Sequence, residues 1–373
     1  LVDTLLSELE PVVLAEQKFC IRFFHLSSDF AVAAETQSVA SDDSGKKLER
    51  QFNEQVKLIL GQLFKPIEQF LKDFVDHCER ADPSYTIVLL AQLSKHVMAS
   101  QDPGTYIALT LGTTVVLVKR KFETYIENEG NKLRSVKLYK RTRVGILETL
   151  YAFEELANKT EDIFKESGRG QMDRWYPQLV AAVFEGIETA ALDPNSKSPE
   201  SVVRMENYHR LYSILSHLKI QVLEDSRKTA KQKYSATLNS YVQECMDQPM
   251  GRLSEFFNAI NERIEAGMPH EEIGYQQAFS KQELKKLIAH YPGKEVKKSL
   301  EALYKKVEKD LSKDSPLLQV VWHGITDEFI RLHKEYTQKM CQCYPNQNLR
   351  LEFSLQELLN YFTAIAHQNY AQK

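Results

Sequence analysis

The sequence has no apolar run long enough to cross a lipid bilayer. Its longest runs are IVLLA at 87–91 and VVLV at 115–118, whereas a membrane-spanning helix needs about 20 consecutive apolar residues. The N-terminus shows no signal-peptide pattern. It begins at a leucine inside an amphipathic run, as a fragment of a longer protein would. We therefore expect a cytoplasmic protein.

The chain has few cysteines and a small net charge. The five cysteines are an odd number at irregular spacing, which is typical of reduced thiols rather than of a disulfide framework. Charged residues make up 27% of the chain, but the two signs almost balance and leave a net charge of −3. A general nucleic-acid-binding protein would be basic overall, so nucleic acid is not an expected partner.

Motifs of catalysis, cofactor binding and metal binding are missing as well. No GxSxG nucleophile elbow and no HExxH zinc motif occurs. The segment PGK at 292–294 lacks the second glycine of a phosphate-binding loop, because Ile288 stands five residues before Gly293. Cys341 and Cys343 have the wrong spacing for a zinc knuckle, and no second ligand pair follows them. We therefore predict no enzyme, no cofactor and no metal.

Apolar periodicity of the α-helical kind is present nearly throughout. From Phe52 to Val75, apolar residues recur at steps of three and four, which places them on one helix face. Residues 200–246 contain neither glycine nor proline, and we predict one long helix there. ETQSVASDDSGKK at 35–47 is the one stretch with a disordered composition. The pattern predicts an all-α protein, an elongated rod of stacked antiparallel helical bundles.

Breaks in this pattern, where proline and glycine cluster, suggest three domains. The first helical bundle covers residues 1–142 and ends at the basic stretch KLYKRTR. The second covers 143–247 and contains the long helix. The third is a C-terminal bundle over 248–373, which starts at the QPMG break.

The pattern FS-x-QEL occurs twice, at 279–284 and at 353–358. In each copy the serine and the glutamate three residues later can form a capping box, and the phenylalanine and leucine can form a hydrophobic staple. The residues that follow the two copies differ. The pattern therefore predicts two helix starts and not a repeated functional site.

Two basic clusters are candidate contacts for an anionic partner or lipid. In the segment 293–311, apolar residues occupy one helix face and lysines gather on the other, with Glu301 and Glu308 among them. The candidates are Lys294, Lys297, Lys298, Lys305 and Lys309 in this segment, and Lys119, Arg120, Lys121, Lys140 and Arg141 in the second cluster. Either cluster could be only a solvated surface. The functional alternative is a contact with an anionic membrane or an acidic partner helix.

Several long stretches are distinctive enough to match a known family. They include LVDTLLSELEPVVLAEQKF at 1–19, TLGTTVVLVKRKF at 110–122, YPGKEVKKSLEALYKKVEKDL at 291–311 and CYPNQNLRLEFSLQELLNY at 343–361. With RVGILETLYAFEE at 143–155 and LLQVVWHGITDEFIR at 317–331 they extend over nearly the whole chain. The chain resembles the C-terminal region of the exocyst complex component 1 family, the exocyst subunits that carry a PH domain.

The resemblance implies stacked helical bundles of the type shared by multisubunit tethering complexes. It implies a non-enzymatic scaffold subunit of the exocyst, cytoplasmic and recruited to the plasma membrane at sites of secretion, which tethers secretory vesicles before SNARE-mediated fusion. The implied partners are other exocyst subunits, with SNARE and small-GTPase contacts mainly through N-terminal regions that this chain lacks. The alternative is a peripheral lipid-binding module that makes a weak contact with anionic membrane through its lysine-rich helix faces.

Overall fold

A computed structural model describes residues 2–23, 54–55, 58–99, 105–165, 170–312, 316–345 and 349–370. The stretch 35–47, for which the sequence predicts disorder, lies outside them. The helices are α1 (Val2–Phe23), α2 (Lys65–Ala81), α3 (Tyr85–Ala99), α4 (Tyr106–Arg134), α5 (Glu148–Phe164), α6 (Gly170–Asp173), α7 (Tyr176–Ala191), α8 (Glu200–Leu218), α9 (Glu224–Glu265), α10 (His270–Ile273), α11 (Lys281–Ile288), α12 (Gly293–Asp310), α13 (Leu317–Cys343) and α14 (Leu355–Tyr370). These ranges contain no strand, only an isolated bridge between Thr142 and Ser196. The all-α prediction is confirmed.

The chain divides into two compact units. Unit 1 consists of Leu1–Arg134 and Ala152–Ala182, and unit 2 consists of Ser135–Tyr151 and Val183–Lys373. Two helices, α5 and α7, each contribute residues to both units. The division into three bundles with borders at 142 and 247 stays a prediction.

The prediction of a single helix over 200–246 is wrong. The structure has two helices there, α8 and α9, with a short 3-10 helix at Gln221–Leu223 between them. Lys219 has a φ of 51°, the left-handed conformation that ends an α-helix. The next apolar residues, Ile220 and Leu223, are buried, so their packing stabilises a turn that has neither glycine nor proline.

The helix α9 also crosses the break that the sequence placed at QPMG. It is 42 residues long and continues through Pro249, which is buried inside it. Proline removes one backbone donor and usually kinks or ends a helix. Here the buried residues on both sides, Met246, Met250 and Leu253, keep this helix in the core of unit 2.

The core of unit 1 forms where α1 and α2 pack against α3 and α4. Leu6 and Val13 of α1 are fully buried, as are Val118 and Phe122 of α4. A buried polar contact joins the same helices, because the backbone amide of Tyr106 donates to Oε1 of Gln17 at 3.0 Å. This contact satisfies one of the amides that the first turn of α4 cannot pair internally.

The core of unit 2 is built on α9, which packs against α8, α12 and α13, while α14 packs against α12 and α13. The rings of Phe257 and Tyr336 stack with centroids 4.4 Å apart. Gly324 of α13 allows a close approach to α9, because a Cβ at this position would lie 3.1 Å from Cγ2 of Val242. Glycine therefore sets how closely these two helices can pack.

Both copies of FS-x-QEL begin helices as predicted, but only the second forms a complete capping box. At α14, the Ser354 amide donates to the Glu357 carboxylate at 2.8 Å, and the Glu357 amide donates to Ser354 Oγ at 3.3 Å. At α11, the Glu283 amide donates to Ser280 Oγ at 3.5 Å, whereas the Glu283 carboxylate binds Lys286 at 2.8 Å. The phenylalanine and leucine of both copies are buried.

Candidate interaction surfaces

The first basic cluster lies on α12, as the sequence predicts. The apolar residues of this helix are buried in the core of unit 2. The opposite face of the helix therefore points to solvent. Lys294, Lys298, Lys305 and Lys309 are exposed, and Lys297 is half-buried. We refer to these five residues as the lysine face. Its arrangement suits an acidic surface, because ammonium groups project from one rigid helix at turn spacing.

The residues of the second basic cluster are divided between the two units. Lys119, Arg120 and Lys121 lie on α4 in unit 1, whereas Lys140 and Arg141 belong to unit 2. Arg120 is exposed and Lys119 is half-buried. Each residue of this cluster therefore has to be considered in its own surroundings.

Lys121 is already bound within unit 1. Its ammonium group lies 3.0 Å from the carboxylate of Asp76 and also donates a short hydrogen bond to Glu79. The hydrogen bond to Glu79, more than the one to Asp76, raises the pKa of Lys121. Since both carboxylates belong to α2, Lys121 joins α2 to α4 and is not available to an external partner.

Lys140 and Arg141 lie in an exposed segment between α4 and α5. We refer to residues 137–143 of this segment as the basic loop. Its residues are exposed except for Leu138, which is half-buried, and Tyr139 keeps 92% of its surface accessible. The sequence identifies the basic residues of this loop as candidates but not Tyr139. An aromatic residue is ordinarily expected in a core, so the sequence does not predict its exposure.

A groove of about 340 Å³ lies between α12, α13 and α14. It is lined by the aromatic residues Tyr304, Trp322 and Phe362, and its lining also includes His323 and His367. The indole nitrogen of Trp322 donates to the carbonyl of Phe362 at 3.5 Å, and each of the three aromatic residues is at most 7% exposed. The groove can hold an apolar side chain, and the hydroxyls of Thr326 and Thr363 in its lining donate to backbone carbonyls of their own helices at 2.8 and 2.9 Å.

Sequence reasoning missed this groove. Its lining residues come from three consecutive helices, and only tertiary packing brings the side chains together. Each aromatic residue follows the same helical periodicity as an ordinary core residue. No local sequence signal distinguishes a groove residue from a core residue here.

A polar network joins α7, α8 and α9 in unit 2. The Glu188 carboxylate accepts a short hydrogen bond from the Tyr208 hydroxyl and another from Nε of Arg204 at 2.9 Å, and Lys233 lies 3.7 Å away. Burial alone would raise the pKa of Glu188, but the hydrogen bonds from Tyr208 and Arg204 outweigh it and lower that pKa. A carboxylate on α7 that is held charged by groups from α8 and α9 stabilises the packing of the three helices.

The thiols near the end of α13 are not arranged as metal ligands. Cys341 is exposed and Cys343 is buried, while the ring of His333 lies 3.1 Å from the carbonyl of Phe353. Within the residues that the structure describes, no group of three or more histidine, cysteine or acidic residues could hold a metal ion. None of the helices in the described ranges combines the length and apolar character of a membrane-spanning helix.

Comparison with known proteins relates most of the chain to one family. The family model described as exocyst complex component Sec3, C-terminal, matches residues 23–346. Exocyst complex component 1 of Drosophila melanogaster is 39% identical over 99% of this chain and 44% of its own length. The protein of the same name from Mus musculus is 39% identical over 98% of this chain and 42% of its own length.

A more distant relative is also an exocyst component. Exocyst complex component SEC3A of Arabidopsis thaliana is 24% identical over 78% of this chain and 32% of its own length. No solved structure matches the chain. The chain spans less than half the length of these relatives.

Proposed function

The chain belongs to the exocyst complex component Sec3 family, whose C-terminal region it matches, and on this premise we propose that it is a non-enzymatic scaffold subunit of the exocyst. In this role it acts in the cytoplasm, together with the other exocyst subunits. It is recruited to the plasma membrane, where it tethers secretory vesicles before SNARE-mediated fusion. The observation that carries the proposal is the 39% identity to exocyst complex component 1 over 99% of this chain.

The distribution of polar groups supports a scaffold. The charged groups that lie between helices, such as Lys121 with Asp76 and Arg204 with Glu188, pair with each other and join helices. The groove between α12, α13 and α14 is a recess lined in part by Tyr304, Trp322 and Phe362, each at most 7% exposed. Such a recess can take an apolar side chain of another protein, since aromatic residues are enriched where protein interfaces are buried.

Within this role we assign the lysine face of α12 to an acidic surface on another exocyst subunit. Its five lysines lie on one helix whose opposite side is fixed in the core. A rigid helix that presents like charges raises the rate and specificity of association with a surface of opposite charge. This contact would weaken as the ionic strength increases.

The assembly role can be tested by co-purification of the other exocyst subunits with the chain. We expect the intact chain to retain them, and we expect the charge reversals Lys298→Glu and Lys305→Glu together to weaken this retention. The matched control reverses Lys231 and Lys285, which are exposed lysines of unit 2 outside both basic clusters. A chain that is dispensable for every assembly contact and for secretion would refute the scaffold proposal, whereas equal losses in both variants would refute only the assignment of the lysine face.

A further inference from the structure

The basic loop is held in a fixed position on unit 2. The carboxylate of Asp193 accepts a hydrogen bond from the Leu138 amide at 3.2 Å, and the side-chain amide of Asn195 donates to the Leu138 carbonyl at 2.9 Å. The Thr142 amide donates to the carbonyl of Asn195 at 3.1 Å, and the Lys197 amide donates to the carbonyl of Thr142 at 2.8 Å. Four hydrogen bonds therefore fasten both ends of the loop to the turn at 193–197.

These anchors leave an unusual set of side chains exposed. Tyr139 is 92% exposed, and Leu192, at the start of the anchoring turn, is 61% exposed. The exposed cations of the two segments are Lys137, Lys140, Arg141, Arg143 and Lys197. The stretch 135–147 contains no acidic residue.

Asp193, an acidic residue that contacts the loop, is occupied by the anchor itself. Hydrogen bonds from the backbone amides of Asn195 and, to a smaller extent, Leu138 lower the pKa of Asp193. The carboxylate thus stays charged and points its acceptors at the backbone. The basic side chains of the loop are exposed and can reach a ligand outside the protein.

We infer that the basic loop is a docking site for an anionic membrane surface. Tyrosine favours the membrane–water interface, because its ring is apolar while its hydroxyl remains hydrated. Lysine and arginine beside it are attracted to anionic headgroups. A loop that projects an isolated aromatic residue fits a flat lipid surface.

An acidic protein is the competing ligand, and the geometry favours it less. Aromatic and arginine residues that dominate protein interfaces lie in packed pockets surrounded by further contacts. The groove of unit 2 described above is lined by other residues and does not include Tyr139. A contact limited to the loop and its anchoring turn suits a membrane better than a protein interface of ordinary area.

The inference is tested by sedimentation of the full chain with phosphatidylcholine vesicles that contain or lack phosphatidylserine. We expect binding only to the vesicles with phosphatidylserine, and we expect added salt to weaken it. The variant with Lys140→Gln and Arg141→Gln should bind about 30-fold more weakly, since each cation near the surface contributes about fivefold. Tyr139→Ala should lower the affinity several-fold, and salt should not change this loss.

Two matched pairs of substitutions control for net charge. Lys231→Gln with Lys285→Gln changes the net charge from −3 to −5, as the loop variant does, and should leave binding nearly unchanged. Lys297→Gln with Lys298→Gln makes the same change on the lysine face. All of these residues except the half-buried Lys297 are exposed, so the thermal unfolding of the variants should match that of the original chain.

Three outcomes would overturn the inference. One is that the chain fails to bind phosphatidylserine vesicles. Another is a loss of binding that is equal for all three pairs of substitutions or confined to the lysine face. The third is unchanged vesicle binding by the loop variant, and if that variant also loses binding to the other exocyst subunits, the loop is assigned to an acidic protein. The scaffold proposal is unaffected by the first two outcomes, because co-purification of the subunits tests it separately.

Discussion

Ser312 donates two hydrogen bonds to the buried carboxylate of Glu206, one from its backbone amide and one from its hydroxyl, each 2.8 Å long. Glu206 belongs to α8 and is 1% exposed, whereas Ser312 follows α12. The two residues are 106 positions apart in the sequence. The contact therefore connects the helical hairpin of α8 and α9 with the C-terminal helices of unit 2.

We expect the two hydrogen bonds between Ser312 and Glu206 to contribute unequally to the free energy of unfolding. Ser312→Ala removes only the hydroxyl bond and should lower the free energy of unfolding by about 1 kcal/mol. Glu206→Ala also leaves the Ser312 amide without its charged acceptor and should lower it by about 3 kcal/mol. Unfolding by guanidinium chloride, followed by circular dichroism, measures both values. Equal losses for the two variants would show that the backbone bond adds nothing.

The pH dependence of stability should include a contribution from His209. Burial, and to a smaller extent the neighbouring guanidinium of Arg210, lowers the pKa of His209 below its ordinary value of 6.5. Its ring packs on Tyr234 with centroids 5.0 Å apart. The folded state thus favours the neutral ring, so the unfolded chain binds more protons as the pH falls.

The sign of the effect follows from this lowered pKa. The contribution of His209 to the free energy of unfolding is fully present above pH 6.5. It is lost as the pH falls through the lower pKa that His209 has in the folded state. We expect the melting temperature to decrease between pH 7 and pH 5, and His209→Gln should make this decrease smaller. His323→Gln is the control, because His323 is 78% exposed. The assignment fails if the two variants have the same pH profile.

Lys121 and Arg120 should differ in their effects although they are neighbours in the sequence. Lys121→Gln removes the contacts to Asp76 and Glu79 and should lower the stability of unit 1 by about 1 kcal/mol, as expected for a small network of partly exposed pairs. Arg120→Gln should have little effect on stability, because Arg120 is exposed. Thermal unfolding of both variants at low and high salt tests this, and high salt should reduce the difference.

Much of the fold could be predicted from local patterns. The buried positions of α12, such as Val296, Leu300 and Val307, follow directly from their spacing, because a helix that buries one face needs apolar residues at each turn. The two helix starts at Ser280 and Ser354 follow from capping chemistry. These predictions depend on residues that lie within one or two helical turns of each other.

The errors and omissions have a common physical cause, which is contact between distant parts of the chain. The turn at Lys219 is stabilised by the burial of Ile220 and Leu223, and composition alone does not show this. Similarly, the sequence does not show that Lys121 of α4 pairs with Asp76 of α2, because only the packing of the two helices brings them together. The exposure of Tyr139 depends on the anchoring turn at 193–197. In each case tertiary packing decides what the residue does.

The packing of α9 against α13 gives a last prediction, which uses Gly324 and Val242. A Cβ at position 324 would lie 3.1 Å from Cγ2 of Val242, and Val242 is 5% exposed. Gly324→Val should therefore destabilise unit 2 by about 1–3 kcal/mol through overpacking.

The reciprocal substitution should relieve this clash. Val242→Ala alone creates a small cavity and should also destabilise, but the double variant should be more stable than the sum of the two losses implies. A double-mutant cycle of unfolding free energies measures this coupling, which we expect to be at least about 0.5 kcal/mol. The control cycle combines Gly324→Val with Val296→Ala, a buried residue of α12 for which we expect additive losses. Additive losses at 324 and 242 would mean that the helices separate to accept the larger side chain, so that Gly324 does not set their distance.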